Sequence, residues 1–480
     1  MKIKMWIKEN WIFLGIVIFT IGIRLYYFFL TLGQPLWYDE SVYMLISQKF
    51  AFGVDYSFPA VRPILFSLIT AMFLIIKNNE LLPRLFMLVL SMFSVWGMYL
   101  LGKEVVNKNV GLISSFLMSI FYLNLFFTYR LLVDLPSLTF FIFSALFFYK
   151  YCKTKSGKFL YLASFVVAVG TLFKLSTAFI LIPFFIYILT TERMGFLKKK
   201  ETWIALTIFL MTLLPYIIWG YSEFGGFVFT QASSHVAPES YLSGLGILKN
   251  YLMLFPTYLS WIILYVFILG LIFMYKIVIY FDKVIKGGND KLRRDFYLFL
   301  IFIIPLVLIS IFINHNEDRY IFIVFPSIMI ISSSFIWKIY EFIKKNNKVI
   351  AIILLVLLLI FPTYYQLNSA DKLIKNKQDS YLDVKQAGLW LRENSNDSDI
   401  IATRSQPQIR YYSGLDTIGI SPTEEEFEQS LTNETKFFMI SIFESHPEWA
   451  YSYPERKNLT LARVHVNQDN QPILVIYNLK

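Results

Sequence analysis

Long apolar runs recur along most of this chain, and they constrain its fold more than any other feature. A helix crosses a bilayer with roughly 20 predominantly apolar residues. Eleven stretches read as spanning helices: 11–30, 83–101, 111–128, 135–150, 159–173, 177–190, 203–221, 251–276, 296–313, 320–338 and 348–363. A transmembrane β-barrel would instead show short alternating segments. Charged residues make up only 16% of the 480, against about 25% in soluble domains. The expected fold is therefore an α-helical polytopic membrane protein.

Charge placement orients the helices. Residues 1–363 carry 32 basic and 17 acidic side chains, and 364–480 carry 12 and 16. With the N-terminus in the cytoplasm, the inner segments include "GKEVVNKN", "KYCKTKSGK", "TERMGFLKKKE" and "KIYEFIKKNNK", and together they hold 23 of those 32 basic residues. That is the positive-inside bias, so the net charge of +11 is no sign of a nucleic-acid partner. The assignment requires "RPILFSLITAMFLII" (62–76) to enter the outer leaflet without crossing, as a juxtamembrane helix that satisfies its own backbone. The N-terminal apolar run lacks a small-residue cleavage site and reads as an uncleaved first helix. Cys152 is the only cysteine, which leaves no internal disulfide and no cysteine cluster for a metal.

The expected domains are 1–363, in the membrane, and 364–480, soluble and extracytoplasmic. The tail is charged and alternates helix-like "YLDVKQAGLWLREN" with strand-like "KFFMISIF", "ARVHVN" and "PILVIYNL", the pattern of a small α/β domain. Three Asn-X-Ser/Thr triplets, at Asn396, Asn433 and Asn458, fall in it.

On this topology four polar groups open on one membrane face: Asp39 and Glu40 in "GQPLWYDESVYML", Arg130 with Asp134, Lys174, and His315 with Glu317 and Arg319. Charges at membrane boundaries are costly and tend to mark function. Each also has a plainer reading. Asp39 and Glu40 could be solvated loop acids, Asp134 before Leu-Pro a helix cap, Lys174 a snorkelling side chain, and Arg62 an interfacial anchor. Trp37 and Tyr38 could stack on a sugar or simply sit at the interface.

The order of the pieces resembles the polyprenyl-phosphate-sugar-dependent glycosyltransferases of the GT-C fold, the group with protein O-mannosyltransferases and lipid A aminoarabinose transferases. The resemblance lies in "WYDES" after the first helix, "VRPILFSL", "LLPRLFMLVLSMFSVWGMYLLGKEVVNKNVGLISSFLMSIFYLNLFFTYRLLVDLPSLTFF", "GTLFKLSTAFILIP" and "NHNEDRYIFIVFPSI", over roughly residues 10–340. It implies an enzyme in the cell membrane that moves a sugar from a polyprenyl (dolichyl or undecaprenyl) phosphate to a hydroxyl of a protein, lipid or glycan. It makes Asp39 the catalytic base, with Glu40 its motif neighbour and Asp134 a second outer-loop acid.

Chemistry fills in the remaining roles. A hydroxyl needs a positioned base, and a leaving polyprenyl phosphate needs cations, for which Arg62, Lys174 and Arg319 are the candidates. Glu40, Asp134, His315 and Glu317 could together hold Mg, Mn or Zn. In the aminoarabinose branch a Glu-Lys pair contacts metal and phosphate, but "AVRPIL" offers no carboxylate in that place. A transporter or flippase of lipid-linked sugars is the rival reading. It should show repeats or broken helices near the midplane, and neither is evident in the sequence.

Overall fold

The computed structural model describes residues 2–57, 62–226, 244–287, 289–313 and 316–479. Among these, nine helices are long and apolar enough to cross a membrane: Ile7–Leu30, Leu81–Val105, Asp134–Thr154, Leu175–Lys198, Lys200–Phe224, Trp261–Ile279, Asp290–Phe312, Ile321–Lys344 and Lys348–Asn394. A tenth is the bent pair Lys108–Ile120 and Tyr122–Thr128. Gly157–Phe173 is apolar but has 17 residues, or about 26 Å at 1.5 Å per residue. Each of the eleven expected spans thus has a helix. The segment expected to enter without crossing forms Leu65–Ile76, 12 residues long and about 18 Å, too short to span.

Two spans are less regular than the sequence suggests. The run 111–128 is broken at Phe121 and bends by 56°. The run 251–276 divides at Ser260 between helices Gly244–Leu259 and Trp261–Ile272. At its other end the last membrane helix does not stop at 363 but continues to Gln378.

The chain forms two compact units: Met1–Leu30, Pro59–Phe66 and Glu80–Ile374 make one, and Thr31–Phe58, Ser67–Asn79 and Lys375–Lys480 make the other. The first is the helical membrane unit. Its interior contains a fully buried Arg24 that the sequence did not flag. Arg24 donates through Nε to Ser91 Oγ (2.6 Å), through Nη1 to the Ser119 carbonyl (3.1 Å) and through Nη2 to Asn124 Oδ1 (2.6 Å). A buried charge is tolerated only when its donors are met, and here three separate segments meet them. Close packing is also fixed by Gly170, where a Cβ would lie 2.6 Å from Thr177 Cγ2 and 2.8 Å from Phe140 Cβ. Only a glycine lets this helix meet its neighbours so tightly just before Lys174.

The second unit contains a five-stranded sheet. Its strands are β1 (Ile400–Ala402), β2 (Asp416–Ile418), β3 (Thr435–Ser441), β4 (Thr460–Val466) and β5 (Pro472–Asn478), in the order β2-β1-β3-β5-β4. β1 is parallel to β2 and β3, while β5 is antiparallel to β3 and β4. Alternation along β3 sends Phe437 and Met439 to one core and Phe438 to the other, as a period of two requires. The first core is closed by Val384, Ala387 and Leu391 of helix Leu382–Asn394, and the second by Phe427, Ala450 and Tyr453. The acidic stretch after the first span belongs to this unit. It forms helix Tyr38–Phe52, ended by Gly53 at φ 73°, whose N–H returns to the Lys49 carbonyl.

Candidate active site

The two adjacent acids have different jobs. Helix Tyr38–Phe52 begins after Trp37, so Asp39 and Glu40 fall at its second and third positions. At the third position a carboxylate can reach back to the residue before the helix. Glu40 does so, accepting from the Trp37 N–H at 2.7 Å, and it is fully buried. Asp39 is half-buried and Tyr38 is exposed. The first turn of a helix favours negative charge, so Asp39 occupies a position suited to a carboxylate.

The preceding strand of chain is held by the sheet-bearing half of the same unit. The buried Leu36 N–H donates to Tyr412 Oη at 2.8 Å, Lys385 Nζ donates to the Gly33 carbonyl at 3.0 Å, and Arg410 Nη2 donates to the Asp55 carbonyl at 2.5 Å. Arg410 also pairs with Asp416 at 2.7 Å. Gly388, where a Cβ would meet Tyr412 Cβ at 2.7 Å, lets helix Leu382–Asn394 approach the tyrosine that holds Leu36.

In the membrane unit a second set of expected residues comes together. Helix Asp134–Thr154 starts with Val133 in the cap position, so Asp134 is its first residue and not its cap. Its carboxylate instead accepts from Lys174 Nζ at 2.5 Å, with side-chain exposures of 1% and 17% for Asp134 and Lys174. Lys174 sits in extended conformation in the hairpin between helix Gly157–Phe173 and Leu175. Its ammonium also lies 4.5 Å from the centroid of the Tyr320 ring. Arg319 pairs with Glu317 and lies 5.4 Å from the same ring. Asp134, Lys174, Tyr320, Arg319 and Glu317 thus form one cluster.

Two tyrosines that the sequence reading missed hold the turn carrying this cluster. Tyr251 Oη donates to the Glu317 carbonyl at 3.2 Å, and Tyr258 Oη donates to Asp318 Oδ1 at 2.6 Å. Their spacing of seven residues, two helical turns, was the available signal. Arg130 is buried and packs 5.5 Å from the Phe126 ring. Arg62 is half-buried ahead of Pro63 and helix Leu65–Ile76, and Trp37 is half-buried.

His315 lies outside the described residues. Among the described residues no group of three or more His, Cys, Asp or Glu side chains gathers to hold a metal ion. Asp134 is engaged by Lys174 and Glu40 by the helix start.

Residues 59–219 match the family model described as dolichyl-phosphate-mannose-protein mannosyltransferase. That segment contains Arg62, Asp134 and Lys174. No curated protein matches the chain. Among solved structures, it is similar to ArnT from Cupriavidus metallidurans in the apo state, with 12% identity over 97% of this chain and 98% of that one, at a TM-score of 0.70. The same protein bound to undecaprenyl phosphate gives 10% identity, 96% and 98% coverage, and a TM-score of 0.68. The archaeal oligosaccharyltransferase AglB from Archaeoglobus fulgidus, in complex with an inhibitory peptide and a dolichol-phosphate, gives 11% identity over 91% of this chain and 70% of that one, at 0.56. The chain shares the fold of these structures, and its long apolar helices are those of a multi-pass membrane protein.

Proposed function

We propose that this chain, a glycosyltransferase of GT-C type by its fold and its family-matched segment, moves a sugar from a polyprenyl-phosphate donor to a hydroxyl acceptor. The observation that carries the reading is the partly buried cluster of Lys174, Asp134 and Tyr320, part of which lies in the mannosyltransferase-family segment. A positive group held in a low-dielectric site is suited to a phosphate headgroup at the membrane boundary. The relatives' structures hold undecaprenyl phosphate and a dolichol-phosphate, which are donor products of this chemical class.

In this reading Asp39 takes the proton from the acceptor hydroxyl as that oxygen bonds to the anomeric carbon. The bond from that carbon to the phosphate oxygen breaks, and its electron pair leaves with the polyprenyl phosphate. One displacement inverts the anomeric configuration. Lys174, Arg319 and Arg62 balance the charge gathering on the phosphate, and Arg suits it because its planar fork can bind two oxygens. Trp37 and Tyr38 offer faces for the sugar. The N-terminus lies in the cytoplasm, and the reaction takes place on the outer face of the cell membrane. The acceptor is a protein, lipid or glycan hydroxyl.

Mass spectrometry of products from purified protein, a panel of polyprenyl-phosphate sugars and candidate acceptors tests this directly. A covalent sugar adduct is expected from the wild type and none from Asp39→Asn, with folding unchanged. Full transfer by Asp39→Asn would reject the base. Lipid-linked sugar moved across vesicles with no covalent product would favour the transporter reading.

A further inference from the structure

Gln366 lies in helix Lys348–Gln378 and is buried in the membrane unit. Both ends of its side-chain amide serve backbone groups exposed by helix breaks. Phe121, with φ −59° and ψ 117°, interrupts the run between Lys108–Ile120 and Tyr122–Thr128. Tyr122 therefore opens a helix, and an opening N–H has no partner within its own helix. Gln366 Oε1 accepts it at 2.9 Å. The second break falls at Ser260, at φ 66° and ψ 152°, just past helix Gly244–Leu259. The last carbonyls of a helix lack intrahelical partners in the same way. Gln366 Nε2 donates to the Tyr258 carbonyl at 2.8 Å, and the adjacent Tyr365 Oη donates to the Thr257 carbonyl at 2.9 Å.

These bonds matter because an unmet backbone group is costly away from water. A primary amide carries an acceptor and a donor at the end of one side chain, so a single residue can serve an N–H from one break and a carbonyl from the other. A methionine of similar length would serve neither. The backbone of Ser260 also lies where residues with a side chain rarely sit, and such conformations persist only when their surroundings hold them. Gln366 and Tyr365 hold the helix end on which this one follows.

Each break leads to one partner of Lys174. Helix Tyr122–Thr128 runs into the short link before Asp134, whose carboxylate accepts from Lys174. Tyr258 donates through Oη to Asp318 at 2.6 Å. Asp318 sits in the turn closed by the Tyr320 N–H on the Glu317 carbonyl at 3.1 Å, and the Tyr320 ring lies 4.5 Å from Lys174 Nζ. The anion and the ring beside Lys174 are thus both referred to one amide. We infer that Gln366 is a positioning residue of the donor-phosphate site, acting on Lys174 through Tyr258 and the 317–320 turn rather than by contact with substrate. The inference rests on the phosphate role proposed above for Lys174.

The test uses the full chain in lipid nanodiscs. Cys152→Ser removes the sole cysteine, and Asn316→Cys, exposed beside the turn, carries a trifluoromethyl tag. On this background Gln366→Met deletes both bonds, Gln366→Asn draws the amide back by one methylene, and Tyr258→Phe removes only the bond to Asp318. Fluorine NMR follows the turn, and steady-state kinetics follows transfer from a polyprenyl-phosphate sugar. The Gln366 variants and Tyr258→Phe should shift the fluorine resonance. They should lower kcat roughly tenfold or more with the acceptor KM within about twofold, because charge on the leaving phosphate develops in the transition state. Gln366→Met with Tyr258→Phe should lose no more than the larger single loss, since both act along one path. A purely structural Gln366 would reduce the yield of folded protein and leave kcat per folded molecule unchanged. An unshifted resonance or a wild-type kcat in the folded Gln366 variants overturns the inference, as do losses that multiply in the double variant. If neither Gln366 variant folds, Tyr258→Phe decides, and a wild-type resonance or kcat there overturns it. Absence of product from the wild type would defeat the proposed function, and the fluorine resonance would still decide whether Gln366 holds the turn.

Discussion

The pairing of Asp134 with Lys174 can be tested as structure and as chemistry in one double-mutant cycle. The two side chains are 1% and 17% exposed and 2.5 Å apart, so neither charge can reach much water if its partner is removed. Breaking a buried pair at one end costs about 3–5 kcal/mol, whereas replacing both ends with neutral groups is often close to neutral. Asp134→Asn and Lys174→Met should each lower unfolding stability by about 3 kcal/mol or more. The double variant should return to within about 1 kcal/mol of wild type, a coupling energy large for residues in contact. SDS titration from zwitterionic bicelles, read by circular dichroism, measures each corner. Transfer measured on the same samples separates the roles. If Lys174 neutralises the leaving phosphate, the refolded double variant should still lose roughly 10²–10³ in turnover, the usual loss for one preorganised donor. Singles within 1 kcal/mol of wild type, or a double no better than either, would refute the buried pair. A stable double with full turnover would refute the phosphate role.

Three further outcomes follow from the second unit. Tyr412→Phe leaves the buried Leu36 N–H without its acceptor, which should cost about 1–3 kcal/mol and reduce turnover more than donor affinity, measured by unfolding and steady-state kinetics. Glu40→Gln keeps an oxygen for the Trp37 N–H and should keep both fold and transfer, while Glu40→Leu should lose both in the same assays. Burial lowers the His446 pKa below its ordinary 6.5. Protons then bind more tightly to the unfolded chain, so stability present above about pH 6.5 should fall as the pH drops toward the depressed value. His446→Gln should flatten that loss in a thermal-midpoint profile between pH 7.5 and 5.5.

Which parts of this molecule were legible follows from what each residue pattern encodes. The spans were legible because lipid and a packed helical interior both demand apolar side chains, so the runs stand out whichever surrounds them. The polar set around Arg24 was not, because its members are scattered along the chain: Ser91, Ser119 and Asn124 make sense only once Arg24 joins them. In the tail, β3, β4 and β5 have seven residues each, enough to show a period of two. β1 and β2 have three each, too few to show any period, and the parallel half of the sheet went unseen.

The candidate site shows the same division at the scale of single side chains. Sequence located charge at helix ends well, since a charge there is conspicuous against an apolar background. It could not assign roles, because a role is settled by which polar demands the backbone makes first. Between Asp39 and Glu40 the choice rests on where the helix begins. Starting after Trp37 puts Glu40 at the third position, the only one whose carboxylate can reach back to the Trp37 N–H, and leaves Asp39 on the first turn with its carboxylate outside that cap. A start one residue earlier would move Asp39 to the third position and Glu40 to the fourth, and so make Asp39 the acid placed to reach back. The catalytic role proposed for Asp39 therefore depends on the anchoring of residues 33–37 by Lys385 and Tyr412, and a helix start displaced in Tyr412→Phe would change which acid holds the cap.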